Sequence, residues 1–309
     1  MMKEVVLFVT TGRTATHWLA RTLSSLYSDL AIVIHEPISW HYMPNRFFRQ
    51  YDRIEEQLNI PKIREHIEHV KCNTKEKTQI DVDWMVCSAI PVFVEVFGPR
   101  LKVIHLHRHP VFTALSLLTL NWYQPQFYAQ QHTWRDVCTF EAFFPGTIHK
   151  RFADIWSDLT PYEKCLFHWA EINAYAFELQ DKFPEVPFYR LKTEDMLDGS
   201  SGTLRSLLEF INLPYRLGIE DALSKVVDPL HHKAHIGFDW RYIYRHPEVV
   251  ELAERLGYNL KDMRDEELAR YKYRFHSLAT RLYPFHRRYP WILNLTRAVG
   301  RKLRSFSKR

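Results

Sequence analysis

Three small groups of residues in this chain have the types and spacing to do chemistry on an anion. The first is Gly12, Arg13, Thr14, Ala15, Thr16 and His17, between an apolar run and a helical pattern. A strand that enters a tight turn and then a helix points unpaired backbone N–H groups, and the positive end of the helix dipole, at whatever sits there. Gly12 permits the close turn, Thr14 and Thr16 bring hydroxyls, and Arg13 brings a permanent charge. The lysine and second glycine of the GxxxxGK[ST] nucleotide loop are missing, so kinase or GTPase chemistry is a poor reading. An ordinary βα turn capped by threonine remains the plain alternative.

The second group is Arg108, Pro110 and Ser116, just past the apolar run 101–107. An arginine beyond the carboxyl end of a strand stands where α/β sheets place ligands. Its planar guanidinium grips phosphate through paired hydrogen bonds. Pro110 suits the first turn of a helix. Ser116, eight residues past Arg108, then faces back toward the same cleft. A surface arginine and a back-bonded helix serine are the competing reading. The third group is Glu36 with its neighbour His35, at the end of the run 31–35. Both are placed to take a proton, and Pro37 predicts extended geometry for the residue before it. A turn residue that only caps or pairs locally is the competing reading, and the choice between the two stays open.

The elements that would hold these groups are short apolar runs at 4–10, 31–35, 83–88, 101–107 and 186–191. They are rich in β-branched residues, as strands covered on both faces are. Helical patterns follow the first turn, then run over 111–122, 161–182, 201–212, 247–256 and 262–282. Alternating strand and helix predicts an α/β three-layer sandwich around a mostly parallel five-stranded sheet. The segment 122–160, aromatic and without a strand-like repeat, reads as a substrate-side insertion. One domain over 1–267 and a basic helical extension over 268–309 is the economical organisation.

The ordered set of motifs resembles the sulfotransferases that use 3′-phosphoadenosine 5′-phosphosulfate (PAPS). In that family a strand–loop–helix holds the phosphosulfate, and a later R-x-P-x-x-x-x-x-S binds the 3′-phosphate. The loop corresponds here to Arg13, Thr14, Ala15, Thr16, His17 and Trp18, with Ala15 where the family usually has glycine. Arg108, Pro110 and Ser116 match the second motif. Two weaker echoes follow in order: FYRLKTEDML at 188–197, and KAHIGFDWR at 233–241, whose Lys233 and Arg241 would approach the 3′-phosphate. The resemblance spans residues 4–260 and implies a P-loop NTPase-like sheet, PAPS as co-substrate, 3′-phosphoadenosine 5′-phosphate (PAP) as product, and no metal. It further implies in-line displacement at sulfur, with Arg13 on the leaving phosphate, His17 donating a hydrogen bond there, and Glu36 as base in the manner of the glutamate-using branches. Trp18 would cover the adenine or brace the loop. The implied acceptor is a hydroxyl of a carbohydrate, glycolipid or small metabolite. A phosphotransferase on the same sheet, or a non-catalytic protein that binds membrane or another anion, are the alternatives.

Composition bounds the rest. The 309 residues are 46% hydrophobic, enough for a real core. No run of about 18 apolar residues is present and the first residues do not read as a signal peptide, so a cytoplasmic setting is expected. Cys72, Cys87, Cys138 and Cys165 lack metal or disulfide spacing and read as reduced thiols. His105, His107 and His109 alternate on one strand face, but no further ligand completes a metal pattern. Residues 268–309 hold 12 Lys/Arg and no Asp or Glu, so the preceding 267 residues carry −6 of the overall +6. The tail pattern at 291–309 fits an amphipathic helix at an anionic membrane face, or a solvated terminus. RNA-binding signatures are absent, and no nucleic-acid partner is expected.

Overall fold

The computed structural model describes residues 2–124, 139–198, 201–224 and 238–263. Its centre is a five-stranded, all-parallel sheet of order β2-β3-β1-β4-β5. The strands are β1 (Val5–Val9), β2 (Ala31–His35), β3 (Thr78–Val82), β4 (Leu101–His107) and β5 (Phe188–Lys192). The principal helices are α1 (Thr16–Tyr27), α2 (Pro61–Asn73), α3 (Ile90–Phe97), α4 (Pro110–Thr119), α5 (Pro161–Lys182), α6 (Ser201–Phe210) and α7 (Pro247–Arg255).

Period-two alternation along β1 divides the core. Val5, Leu7 and Val9 join a cluster with Ile67 of α2, Phe93 of α3 and Trp169 of α5. Val6 and Phe8 join Leu19 and Leu23 of α1 and Leu204 and Leu207 of α6 on the opposite face. Two apolar layers on one sheet give the three-layer sandwich that the alternation of runs predicts. In β1 every residue is buried, as a central parallel strand requires.

Helix boundaries follow local chemistry. Thr160 and Glu163 form a reciprocal capping box, and Pro161 opens α5, which covers the expected 161–182. Helix α4 starts at Pro110 and stops at Thr119, short of the expected Trp122, where Asn121 and Tyr123 take positive φ. The expected helix over 262–282, the extension 268–309 and the core of the 122–160 insertion lie outside the described residues.

One strand differs from expectation. The apolar run 83–88 is no strand: Met85–Ala89 is a buried 3-10 turn, begun where Asp83 Oδ1 accepts the Met85 N–H at 2.7 Å. The strand is the more polar TQIDV, Thr78–Val82. Its Gln79 and Asp81 are fully buried, satisfied by Asn73 (3.0 Å to Gln79) and His66 (2.7 Å to Asp81) on α2. Partners supplied by a neighbouring helix let polar residues occupy a strand that apolar pattern alone would pass over.

Candidate active site

Chain order against strand order places the site. The chain leaves β1 toward β2 on one side and leaves β4 toward β5 on the other, so adjacent strands send their loops apart. Such a switch point opens a crevice at the carboxyl ends of the strands. The loops carrying Arg13 and Arg108 flank it.

The first loop is built on left-handed backbone. Gly12 (φ 72°), Arg13 (φ 58°) and Ala15 (φ 63°) all have positive φ, and Ala15 is the N-cap of α1 with no side-chain capping bond. Alternation of this kind aims successive N–H groups into a concavity that suits an anion. Ala15 therefore follows the path a glycine would take, at a cost of about 1–2 kcal/mol. Gly12 sits over the Trp84 ring; a Cβ there would meet Cγ at 3.4 Å. Thr14 is wholly buried, and its hydroxyl pairs with that of Thr10 at 2.6 Å, so the side chain closes the loop from within. The Thr16 hydroxyl lies 3.3 Å from His35 Nε2.

The two motifs meet directly. Arg13 Nε donates to Ser116 Oγ at 2.9 Å, and Arg108 Nη1 donates to the Arg13 carbonyl at 2.8 Å. Residues 95 and 103 positions apart in sequence thus form one cationic unit. The segment after β5 closes it. Glu194 accepts the His109 N–H at 2.9 Å and the Tyr258 hydroxyl at 3.2 Å, and Thr193 reaches the Thr14 carbonyl at 3.4 Å. Helix α5 supports both loops from beneath: His168 Nε2 lies 3.2 Å from the Thr11 carbonyl, and Trp169 Nε1 donates to the Arg108 carbonyl at 2.8 Å.

Across the crevice stands Glu36. A cavity of about 590 Å³ is lined by Arg13, Thr16, His17, His35, Glu36 and Ser39 together with apolar side chains of the far wall. Glu36 has φ 49°, so the extended geometry expected before Pro37 is not adopted. The turn bends at Glu36, whose N–H bonds the Val82 carbonyl at 3.3 Å, and again at Ser39 with φ 52°. Burial pushes the Glu36 carboxyl above its ordinary value, opposed by a hydrogen bond from Ser39. His35 lies 3.8 Å from Glu36; burial, then the neighbouring His17, lower its pKa to about 4, so its ring is neutral at pH 7. His17 is exposed at the cavity edge, edge-on to His35 with ring centres 5.1 Å apart.

Other sequence candidates fall elsewhere. Trp18 is half-buried and packs on the α1 side of the core. Arg241 sits on the 3-10 turn Trp240–Arg245, against Asp239 at 3.5 Å and over the Trp240 ring, and does not line the cavity. Lys233 lies outside the described residues. His105 and His107 are structural: Asn173 holds the first at 2.8 Å and Tyr258 the second at 2.8 Å. Burial drives their pKa values down to about 3 and about 2. Among the described residues no group of three His, Cys, Asp or Glu side chains comes together to hold a metal, and no helix is long and apolar enough to cross a membrane.

Sequence reasoning missed Asp83, Ser39, Trp40, Trp84 and the α5 contacts. Asp83 is fully buried, and burial, then the charge of Glu36, push its carboxyl well above the ordinary range. Its one legible signal was an acidic residue heading an otherwise apolar run.

The geometry defines an α/β protein with a left-handed loop carrying Arg13 at a switch point and a raised carboxyl, Glu36, on the same cavity. No known family model matches the chain, and no curated protein matches it. Among solved structures it is similar to a sulfotransferase domain from the curacin biosynthetic pathway, at 14% identity over 84% of this chain and 99% of that one, with TM-score 0.48. A sulfotransferase from Alicyclobacillus acidocaldarius aligns at 14% identity over 84% and 98%, TM-score 0.47. A mouse sulfotransferase complexed with PAP aligns at 15% identity over 86% and 87%, TM-score 0.39.

Proposed function

We propose that this protein is a PAPS-dependent sulfotransferase that moves a sulfuryl group to the hydroxyl of an acceptor. The observation that carries the reading is Arg13, joined to Ser116 and Arg108 and lining one cavity with Glu36, beside a loop of left-handed backbone. In the reaction the acceptor oxygen forms a bond to sulfur as the bond from sulfur to the bridging oxygen breaks. The electron pair of that bond leaves on the 5′-phosphate of PAP, and the acceptor's proton goes to the Glu36 carboxylate.

Each residue has a physical task in this scheme. The N–H groups of the loop and first turn of α1, with Arg13, meet the negative charge that builds on the leaving phosphate. Arg108 and Ser116 hold the 3′-phosphate, and Arg13, bonded to Ser116, links the two anion positions. His17 stands at the cavity edge, where it donates a hydrogen bond to the phosphosulfate. Partial burial raises the proton affinity of Glu36, which suits a general base. Lys233 and Arg241 are proposed to approach the 3′-phosphate.

Calorimetry with PAP tests the reading. The wild-type protein is expected to bind PAP and discriminate against AMP, and Arg108→Ala is expected to lose most of that discrimination. Equal affinity for PAP and AMP in the wild type would end the assignment. The same reading keeps residues 268–309 as a basic extension that meets anionic membrane from the cytoplasmic side; co-sedimentation with anionic liposomes that survives deletion of 288–309 would remove that part.

A further inference from the structure

Two acidic residues leave the sheet on neighbouring strands. Strands β2 and β3 pair with His35 opposite Val82, and the residue that follows each is a carboxylic acid, Glu36 and Asp83. The two turns are joined at that level, where the Val82 carbonyl accepts the Glu36 N–H at 3.3 Å. Glu36 lines the cavity, whereas Asp83 is fully buried. Asp83 Oδ1 accepts the Met85 N–H at 2.7 Å and so starts the 3-10 turn that brings Met85 to the cavity wall. Met85 Sδ lies 4.0 Å from Ser39 Oγ, and Ser39 in turn bonds Glu36. Asp83 Oδ2 has no hydrogen-bond partner among the described residues.

We infer that Asp83 is a positioning residue for the base: it fixes the turn against which the Glu36 turn rests, and it does so as a neutral carboxylic acid. This rests on the sulfotransferase reading and deepens it, because the proton of the acceptor then goes to one defined member of an adjacent pair. A buried, unpaired carboxylate is costly, and two neighbouring carboxyls resist ionising together. The titratable groups facing Asp83 are Glu36, Asp81 of β3, Tyr42 of the 3-10 turn Ser39–Tyr42 and Cys87 of its own turn. Each of these is neutral or negative, so none of them stabilises a charge on Asp83. Asp81 is already held by His66 at 2.7 Å. Burial, then the charge of Glu36, act in the same direction and keep Asp83 well above the ordinary carboxylate range, against a smaller pull from the Met85 N–H.

Carboxyl-carbon NMR of the full chain, isotopically labelled at Asp and Glu, reads both groups without an acceptor. Asp83 is assigned as the resonance absent from Asp83→Asn, and Glu36 as the one absent from Glu36→Gln. The expected result is that Asp83 keeps its proton at pH values where Glu36 has lost its own. Asp83→Asn, which preserves a neutral group of the same shape, should leave the Glu36 midpoint within about 0.3 of a pH unit. Asp83→Ala, which releases the Met85 N–H, should move that midpoint by about one pH unit or more. An ionised Asp83 at pH 7, or a Glu36 midpoint that falls by about one pH unit in Asp83→Asn, overturns the neutral-acid assignment. A midpoint that ignores Asp83→Ala overturns the positioning role. The wild-type and Asp83→Asn readings decide even where Asp83→Ala does not fold. Calorimetry separates the reading beneath: a wild-type protein that fails to bind PAP loses the sulfotransferase assignment, whatever proton Asp83 holds.

Discussion

Two turns flank the cavity, and both bend through left-handed residues that are not glycine. In the loop after β1 these are Arg13 and Ala15; in the turn after β2 they are Glu36 and Ser39. The first turn is closed on itself by the buried Thr10–Thr14 pair and offers backbone. The second is anchored to the end of β3 through Val82 and offers a carboxyl side chain. An anion of fixed shape is matched by backbone N–H groups, which cannot lose their protons. A proton that must move needs a side chain whose affinity burial can tune. Strain serves both ends, but only one end depends on titration.

That contrast can be broken from the side-chain end with the largest effect. Glu36→Gln is expected to lower kcat by about 10²–10⁴ with PAP affinity within a few-fold of wild type, measured by turnover and calorimetry. The same variant is expected to melt higher than wild type at neutral pH. A carboxyl raised on folding is most favourable to the fold while protonated, and that contribution is lost as pH rises through the folded value. The stability gain should therefore vanish in acid. Equal melting at every pH would show that Glu36 is not desolvated.

From the backbone end, Arg108→Ala is expected to weaken PAP by about 10–100-fold with the pH profile of kcat unmoved, since it removes charge-assisted bonds and no base. Smaller still is the effect of Ser39→Ala. Ser39 holds the Glu36 pKa down against burial, so its loss should move the acid limb of kcat/KM to higher pH. An unmoved limb would assign the base elsewhere, with His35 next in line. The smallest effect is Ala15→Gly, expected to stabilise the protein by up to about 1 kcal/mol by relieving left-handed strain, read as a rise in Tm at unchanged activity.

Four of the five strands were legible within a residue or two, because β-branched apolar runs in a doubly covered sheet leave few alternatives. The third was missed since Gln79 and Asp81 take their partners from α2, which strand periodicity does not register. Arg13, Arg108 and Ser116 were legible as separate motifs, and their direct contact follows from β1 and β4 being neighbours. The α5 residues carry no such signal: His168, Trp169 and Asn173 look like any amphipathic helix, and their work is done on carbonyls of two distant loops and one histidine of β4. The bend at Glu36 was hidden because the proline rule describes an average pressure, and the bond to Val82 overrides it.

Consecutive residues of one helix hold carbonyls of the loop after β1 and the loop after β4. His168 and Trp169 diverge by about a hundred degrees around the α5 axis, so one rod reaches the loop after β1 with one side chain and the loop after β4 with the next. The two loops are thereby tied to one rigid element as well as to each other. On the proposed reading, the spacing between the two ends of a donor molecule would be set by a rod inside the fold and not by its surface.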